Sequence, residues 1–465
     1  MIGRHMIPTI RQSIDFSFKL GEIKEMHDEI NSKLSDVYSK TALKYGWEDL
    51  ISSLSPRNRS RYKNAYNKIL YKRDFYHKIS YVNIRCFIKY EKMSVEKLAG
   101  SPRLIQHPGY EYLLGMKRFQ KYRSKARLED DTRYFNEQFN KVRLVGRNQY
   151  EIADILREYW DDFKEPVAVL LDGSKFDAHM KEESLSAYIK NLEDSYKKAG
   201  IHFDFSWLWN QLVNISGYTQ NGIKYRTRGS GMSGNWTTTD LNSDINEINI
   251  RTVIHVSFQQ KQLDIPKYHV VVVGDDSVVM IEKKDSLNLD IELFKYVNQD
   301  VKLEVVSNFS EIEFCQCRPV MLQGCWRMVR NPLRALSRMA YVEKDYGNWS
   351  KYLSSVGLCE LACSHGSPIL QSLALSFIVA SGYSKPLRNY KDNIEGTKPQ
   401  VTEILFTDRL NFYDSFGITP DEQISIEDSL DNGFDSIKIE NYIDNYEYMF
   451  YHYKNVRSVT QTSTE

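Results

Sequence analysis

Residues 268–281 read YHVVVVGDDSVVMI, and no other stretch constrains the fold so tightly. Two β-branched runs stand either side of Gly274-Asp275-Asp276-Ser277, the pattern of a tight hairpin. The strands are apolar at consecutive positions rather than at alternate ones, so both faces of the pair must be covered. Only the turn is polar, and it carries two carboxylates. The rest of the chain must wrap this buried element and leave its acidic tip in solvent.

A second segment repeats the arrangement. Val167 to Leu171 (VAVLL) is a short apolar run that ends in Asp172-Gly173, with Asp177 five residues after Asp172. It reads as another buried strand with a carboxylate at its end. Helical spacing covers residues 183–199, and a Gly-rich stretch at 229–234 leads into a helix predicted over 237–256. Downstream the pattern predicts a helix over 290–299 and a strand over 301–306. At Asn331-Pro332 a helix starts, with Asn as cap and Pro in the first position, and the chain to about Tyr453 reads as largely helical. The first 165 residues read mostly as helices broken by polar turns. The fold class is therefore α+β, a mixed core flanked by helical lobes.

Composition permits such a core: of 465 residues, 42% are hydrophobic and 26% charged, close to ordinary globular usage. The net charge of +1 conceals an uneven distribution. Seven basic residues and no acid lie between Arg57 and Arg73, and six more between Lys117 and Arg127, whereas Asp421 to Glu447 holds nine acids and one Lys. The front is basic and the tail acidic. The six cysteines lack paired zinc spacing, and a reducing compartment is expected. No run of 18 apolar residues is present, so no transmembrane helix is expected, and the first residues have no signal-peptide core.

Carboxylates at strand ends sit on rigid elements yet face solvent, which suits metal ligation. Phosphoryl transfer needs little covalent help from a protein. It needs attacking and leaving oxygens held in line with their charge neutralised, which two divalent ions on neighbouring carboxylates supply. Mg²⁺ takes oxygen ligands and keeps several waters, so one or two Asp per ion suffice. Between the acidic turns lies SGNWTTTDLN, residues 233–242. Thr238 and Asn242 are four apart and share a helix face. Hydroxyl and amide groups there suit a ribose, whose 2′-OH both donates and accepts; equally, Ser, Thr and Asn are the usual capping residues of a helix start.

Taken in order, the three segments resemble palm motifs A, B and C of viral RNA-dependent RNA polymerases. Motif A is Asp-x4-Asp, here Asp172 and Asp177. Motif B is Ser-Gly-x3-Thr-x3-Asn, here Ser233, Gly234, Thr238 and Asn242. Motif C is Gly-Asp-Asp, here Gly274, Asp275 and Asp276. Residues 87–92 (FIKYEK) and 101–105 (SPRLI) resemble the basic finger motif F, and residues 59–65 (RSRYKNA) a fingers segment of the tombusvirus-like group. Lys302 fits the motif D lysine, residues 313–316 (EFCQ) resemble motif E, and 355–359 with 366–368 are thumb-like for the same group.

The resemblance implies a right-hand polymerase fold. Residues 1–165 would be fingers with an N-terminal extension, 166–177 palm, 178–228 a return of the fingers, 229–325 palm with motifs B to E, and 326–465 thumb and tail. It implies RNA-dependent RNA synthesis on a viral single-stranded genome, by two-metal-ion nucleotidyl transfer from ribonucleoside triphosphates with release of pyrophosphate. Asp172 and Asp275 would hold two Mg²⁺ ions, or Mn²⁺ in their place, with Asp276 assisting. Asp177 and Asn242 would select ribose, and Ser233, Gly234 and Thr238 would support nucleotide and template. Lys89, Lys92 and Arg103 would clamp the triphosphate, and Lys302 would protonate the leaving pyrophosphate. Arg59, Arg61, Arg330, Arg334 and Arg338 would track RNA, template or nascent. Host-cell cytoplasm is the implied location, at membranes reached through a membrane-anchoring viral companion protein and host factors. Two other readings stand beside it: a reverse transcriptase, against which Gly274 and the Asp177/Asn242 pair speak, and a catalytically silent RNA-binding scaffold, against which the full set of carboxylates speaks.

Overall fold

The computed structural model describes residues 21–43, 46–54, 56–71, 82–89, 103–129, 137–235, 238–339, 342, 346–387, 398–431, 435, 438 and 441–443. The chain divides into two compact units, one formed by Met1–Val145 with Asp161–Val306 and the other by Gly146–Trp160 with Ser307–Glu465. Helices and antiparallel sheet occur in both, as an α+β class requires.

In chain order the first unit carries helices α1 (Gly21–Ser39) and α2 (Pro56–Tyr71), strands β1 (Val82–Ile88) and β2 (Leu104–Pro108), and helix α3 (Tyr110–Glu129). Strand β3 (Pro166–Gly173) follows, then α4 (Phe176–His179), α5 (Glu182–Lys198) and α6 (Ser206–Val213). Strands β4 (Asn214–Thr219) and β5 (Lys224–Arg228) precede the long helix α7 (Thr238–Gln259). The hairpin β6 (Tyr268–Val273) and β7 (Asp276–Glu282) and strand β8 (Val301–Val306) close the unit.

Two four-stranded sheets result. One runs β6-β7-β3-β8 and is antiparallel throughout. Its central strand β3 is covered on both faces, as the unbroken apolar run requires. Val167, Val169, Leu171, Val279 and Ile281 pack on one side against Ile250, Val253 and Ile254 of α7 and against α1. The second sheet runs β2-β1-β4-β5, with β1 and β4 parallel. Here the expectation of mostly helices through the first 165 residues missed two strands. β1 (VNIRCFI) alternates apolar Val82, Ile84 and Cys86 with polar Asn83 and Arg85, a short strand signal, and it pairs with β2 on one side and with β4, more than 120 residues away, on the other. Residues 290–299 also differ, forming a short 3₁₀ helix at Ile291–Val297.

Helix α7 is buried on every side from Leu241 to Phe258, the mark of a core helix. Its charges are paired. Asp244 meets Arg123 at 3.1 Å and also Arg143, and Glu247 meets Arg251 at 3.2 Å and Arg127 at 3.5 Å. Burial alone would raise the Glu247 carboxyl, but the Arg127, Arg251 and Arg143 guanidiniums outweigh it and hold it below its ordinary value.

The second unit holds the hairpin β9 (Cys317–Leu322) and β10 (Cys325–Arg330), then α8 (Pro332–Met339), α9 (Trp349–Ser364), α10 (Leu370–Ala380), α11 (Phe406–Phe416) and α12 (Pro420–Leu430). Val320, Leu322, Val329, Ile369, Leu370, Leu373 and Phe412 form its core. Helix α8 begins as its sequence predicts: Pro332 is first, and the Asn331 side chain accepts from the Arg334 amide at 3.0 Å. Among the described residues, no helix is long and apolar enough to cross a membrane.

Candidate active site

Register brings the acidic turns together. Asp172, near the end of β3, stands directly opposite Asp276 at the start of β7 and opposite Lys302 in β8. Residues opposed across strands point to the same face, with Cβ atoms about 5 Å apart. Asp276, Asp172 and Lys302 thus form one row across three strands. Leu171 and Val279 face α7, so strand alternation turns Asp172 and Asp276 the other way. All three are exposed, as is Asp275 in the turn. Gly274 makes that turn possible: its φ of 67° is one L side chains rarely adopt, and Gly belongs at the first position of this class of two-residue hairpin.

Helix α7 holds the other half of the site. Asn242 donates from Nδ2 to the Asp177 carboxylate at 3.0 Å. Loss of solvent pushes the Asp177 carboxyl above its usual range; the Asn242 amide opposes this, the Asp275 charge adds to it, and Arg103 opposes it. Asp177, Asn242, Asp275 and Arg103 therefore occupy one electrostatic neighbourhood. The backbone of Asp177 is fixed as well, its carbonyl accepting from the Gly231 amide at 2.7 Å.

Next along α7, Ser243 accepts from the Gly274 amide at 2.8 Å, and Asn246 donates to the carbonyls of Gly274 and Asp275, each at 3.2 Å. Sequence reasoning missed both residues. A signal was available for Asn246: Thr238, Asn242 and Asn246 are spaced by four and share one face of the helix.

Ser233, Gly234 and Thr238 shape the loop before α7. Ser233 Oγ donates to the Leu104 carbonyl at 3.0 Å and accepts from the Gln106 amide at 3.3 Å, stitching the loop to β2. The Gly234 amide donates to the Gln106 carbonyl at 3.0 Å. A Cβ on Gly234 would lie 2.6 Å from that oxygen, so only Gly allows this approach. Thr238 Oγ1 meets the carbonyls of Met232 and Asn235 at 2.8 and 2.7 Å, closing the loop onto the first turn of α7.

The basic residues are dispersed. Lys89 and Arg103 are exposed at facing ends of β1 and β2, joined by the Lys89 amide to the Arg103 carbonyl at 2.8 Å. Lys92 lies outside the described residues. Arg59 donates to the carbonyls of Ser52 and Leu54, and Arg61 to the Tyr110 hydroxyl, while both stay exposed on α2. Arg330, Arg334 and Arg338 belong to the second unit. Arg330 pairs with Glu360 at 2.5 Å, whereas Arg334 and Arg338 lie half-buried on α8, close enough for Arg338, after burial, to lower the Arg334 guanidinium pKa.

No group of three or more His, Cys, Asp or Glu side chains suited to holding a metal ion occurs among the described residues. The donor set still fits a hard divalent ion. Asp172, Asp275 and Asp276 offer only oxygens on rigid, solvent-facing positions, and Mg²⁺ is usually held by one or two carboxylates with substrate phosphates and waters completing its shell.

Residues 12–435 match the sequence profile of a family described as viral RNA dependent RNA polymerase. The chain belongs to that family. It is 27% identical over 369 residues to the RNA-directed RNA polymerase of Cucumber necrosis virus, covering 75% of this chain and 43% of that protein. It is 29% identical over 374 residues to that of Cymbidium ringspot virus, with the same coverage. To that of Melon necrotic spot virus it is 29% identical over 435 residues, covering 82% and 50%. The tombusvirus-like resemblance is borne out by these relatives. The chain spans about half the length of the curated relatives it matches.

Proposed function

We propose that this chain copies single-stranded RNA, using the row Asp276–Asp172 with Asp275 as its nucleotidyl-transfer centre. The observation that carries the reading is their register: Asp172 and Asp276, 104 residues apart in sequence, meet on one face of a rigid sheet, beside the Asp177–Asn242 pair. Divalent ions bound by Asp172, Asp275 and Asp276 would supply charge neutralisation for both the attacking and the leaving oxygen. A 3′-oxygen then bonds to the α-phosphorus of a ribonucleoside triphosphate, the bond to the β-phosphate breaks, and pyrophosphate leaves. Lys302, in the same row, would give a proton to that leaving group. Arg103, which Asp177 senses, would meet the triphosphate with Lys89. The 2′-OH would be read by Asp177 and Asn242, an acceptor and a donor already fixed against one another.

In this reading the residues near 166–177 and 229–325 form a palm, those before and between them fingers, and 326–465 a thumb in which Arg330, Arg334 and Arg338 follow product RNA. A membrane-anchored viral companion protein and host factors would bring the enzyme to membranes in the host cytoplasm. The test is to give the purified chain a short single-stranded RNA, four ribonucleotides and Mg²⁺ or Mn²⁺. Template-length RNA from the parent, absent with Asp172→Ala and Asp275→Ala, is expected. A parent that binds RNA but is as silent as both variants would favour a polymerase-derived scaffold.

A further inference from the structure

Helix α7 touches the hairpin turn at three consecutive peptide units. Ser243 Oγ accepts from the Gly274 amide, and the Asn246 amide donates to the carbonyls of both Gly274 and Asp275. These two carbonyls belong to the peptide planes on either side of the Asp275 Cα. Fixing both planes fixes the backbone angles of Asp275, and with them the direction of its carboxylate.

The restraint has a specific target. Two-residue hairpin turns come in two classes that differ by rotation of the central peptide, here the one carrying the Gly274 carbonyl. Gly274 has positive φ and Asp275 does not. Rotating the central peptide would take Asp275 to positive φ, which Asp tolerates better than most residues. The sequence therefore leaves the turn with two accessible forms, and only one of them points the Gly274 carbonyl at Asn246. Both the Asn246 side chain and the Gly274 backbone are buried, so no water readily replaces the bond.

We propose that Asn246, assisted by Ser243, is a positioning residue that locks the Gly274-Asp275 turn in its metal-binding form. One helix then divides the labour: Asn242 reads the sugar through Asp177, and Asn246, one turn on, aims the metal ligand. The inference rests on the metal-centred reading of Asp275 given above.

The test is a Mn²⁺ titration of the metal-free chain, followed by the electron paramagnetic resonance of the free ion, with RNA synthesis and thermal melting measured alongside. Loss of two hydrogen bonds in Asn246→Ala should weaken Mn²⁺ binding by about five- to tenfold. Asn246→Asp, which sets an acceptor against two carbonyls, should weaken it further, and Ser243→Ala by about threefold. Thr252→Ala, which loses a buried hydroxyl two turns further along α7, should lower the melting temperature and leave Mn²⁺ affinity unchanged. The template KM and the preference for ribose should not move in Asn246→Ala. Parental Mn²⁺ affinity in Asn246→Ala and Ser243→Ala would overturn the proposal. So would a loss that follows the melting temperature equally in Thr252→Ala. Asn246-dependent Mn²⁺ binding by a parent that makes no RNA would support the proposal and overturn the polymerase reading.

Discussion

Replacing Gly234 by alanine adds one methyl group at the tightest contact between β2 and the loop before α7. The new Cβ would sit 2.6 Å from the Gln106 carbonyl oxygen, 3.0 Å from its carbon and 3.1 Å from the His107 Cα. Every one of these atoms is backbone, so no side chain can swing aside. Ordinary contact begins at 3.4 Å, and the loop must retreat by about 0.8 Å to reach it. That retreat stretches the Gly234–Gln106 hydrogen bond from 3.0 Å and the Gln106–Ser233 bond from 3.3 Å beyond useful length. Overpacking costs about 1–3 kcal/mol and each of the two lost bonds about 1 kcal/mol more, so the variant should lose about 3–5 kcal/mol against a typical stability of 5–15 kcal/mol. It should fold but melt several degrees lower, and RNA synthesis should fall further than melting alone accounts for, because Asn242 follows the same loop. Gly274→Ala is the contrast: nothing lies within 4 Å of its Cβ, and only its φ of 67° is strained. A Gly234→Ala protein that melts within a degree of the parent, or that keeps full activity, would refute the idea that β2 sets the position of this loop.

Other outcomes follow from the same geometry. The Asp177 carboxyl is pushed up, so the native state holds its proton at a pH where the unfolded chain has lost it, and ionisation at neutral pH works against folding. Asp177→Asn should therefore melt above the parent near pH 7.5, by a margin that shrinks as pH falls toward the ordinary carboxylate range, while ribose discrimination is lost; melting curves across pH check the sign. His27 is buried and its pKa is lowered from 6.5 to about 4. Its contribution is intact above pH 6.5 and lost as pH falls toward 4, up to about 3 kcal/mol; His27→Gln should flatten this part of the acid-denaturation profile. Arg330→Met leaves the Glu360 carboxyl buried without its guanidinium. It should destabilise the chain by about 1–2 kcal/mol, recovered largely by adding Glu360→Gln, and an RNA-affinity loss that persists in the double variant would come from Arg330 itself.

The parts legible in the sequence were those in which local pattern and tertiary environment agree. The unbroken β-branched runs of β3, β6 and β7 could be satisfied only at the centre of a covered sheet, and the positions of Asp172 and Asp275 followed from their ends. The sheet β2-β1-β4-β5 was missed although β1 alternates over residues 82–86, because that run is short and β4, one of its two partners, lies far along the chain. The loop-shaping bonds of Ser233 and Thr238 were missed for a different reason. A hydroxyl suited to a nucleotide suits a carbonyl equally well; Ser233 finds one on β2 and Thr238 finds two in its own loop, contacts that depend on how the chain folds back. The buried Arg123–Asp244 and Arg127–Glu247 pairs escaped notice because charges on a helix read as a solvated face until every side of that helix is found to be covered.

The measurement closest to the central claim is a nucleotide-omission assay. The purified chain is given one RNA of defined sequence and three of the four ribonucleotides, each being left out in turn. Template-directed synthesis predicts products that stop one position before the first complement of the missing nucleotide, and no product with Asp275→Ala. Products whose length ignores the omission, or that persist in Asp275→Ala, would contradict template copying at the Asp172–Asp275–Asp276 centre.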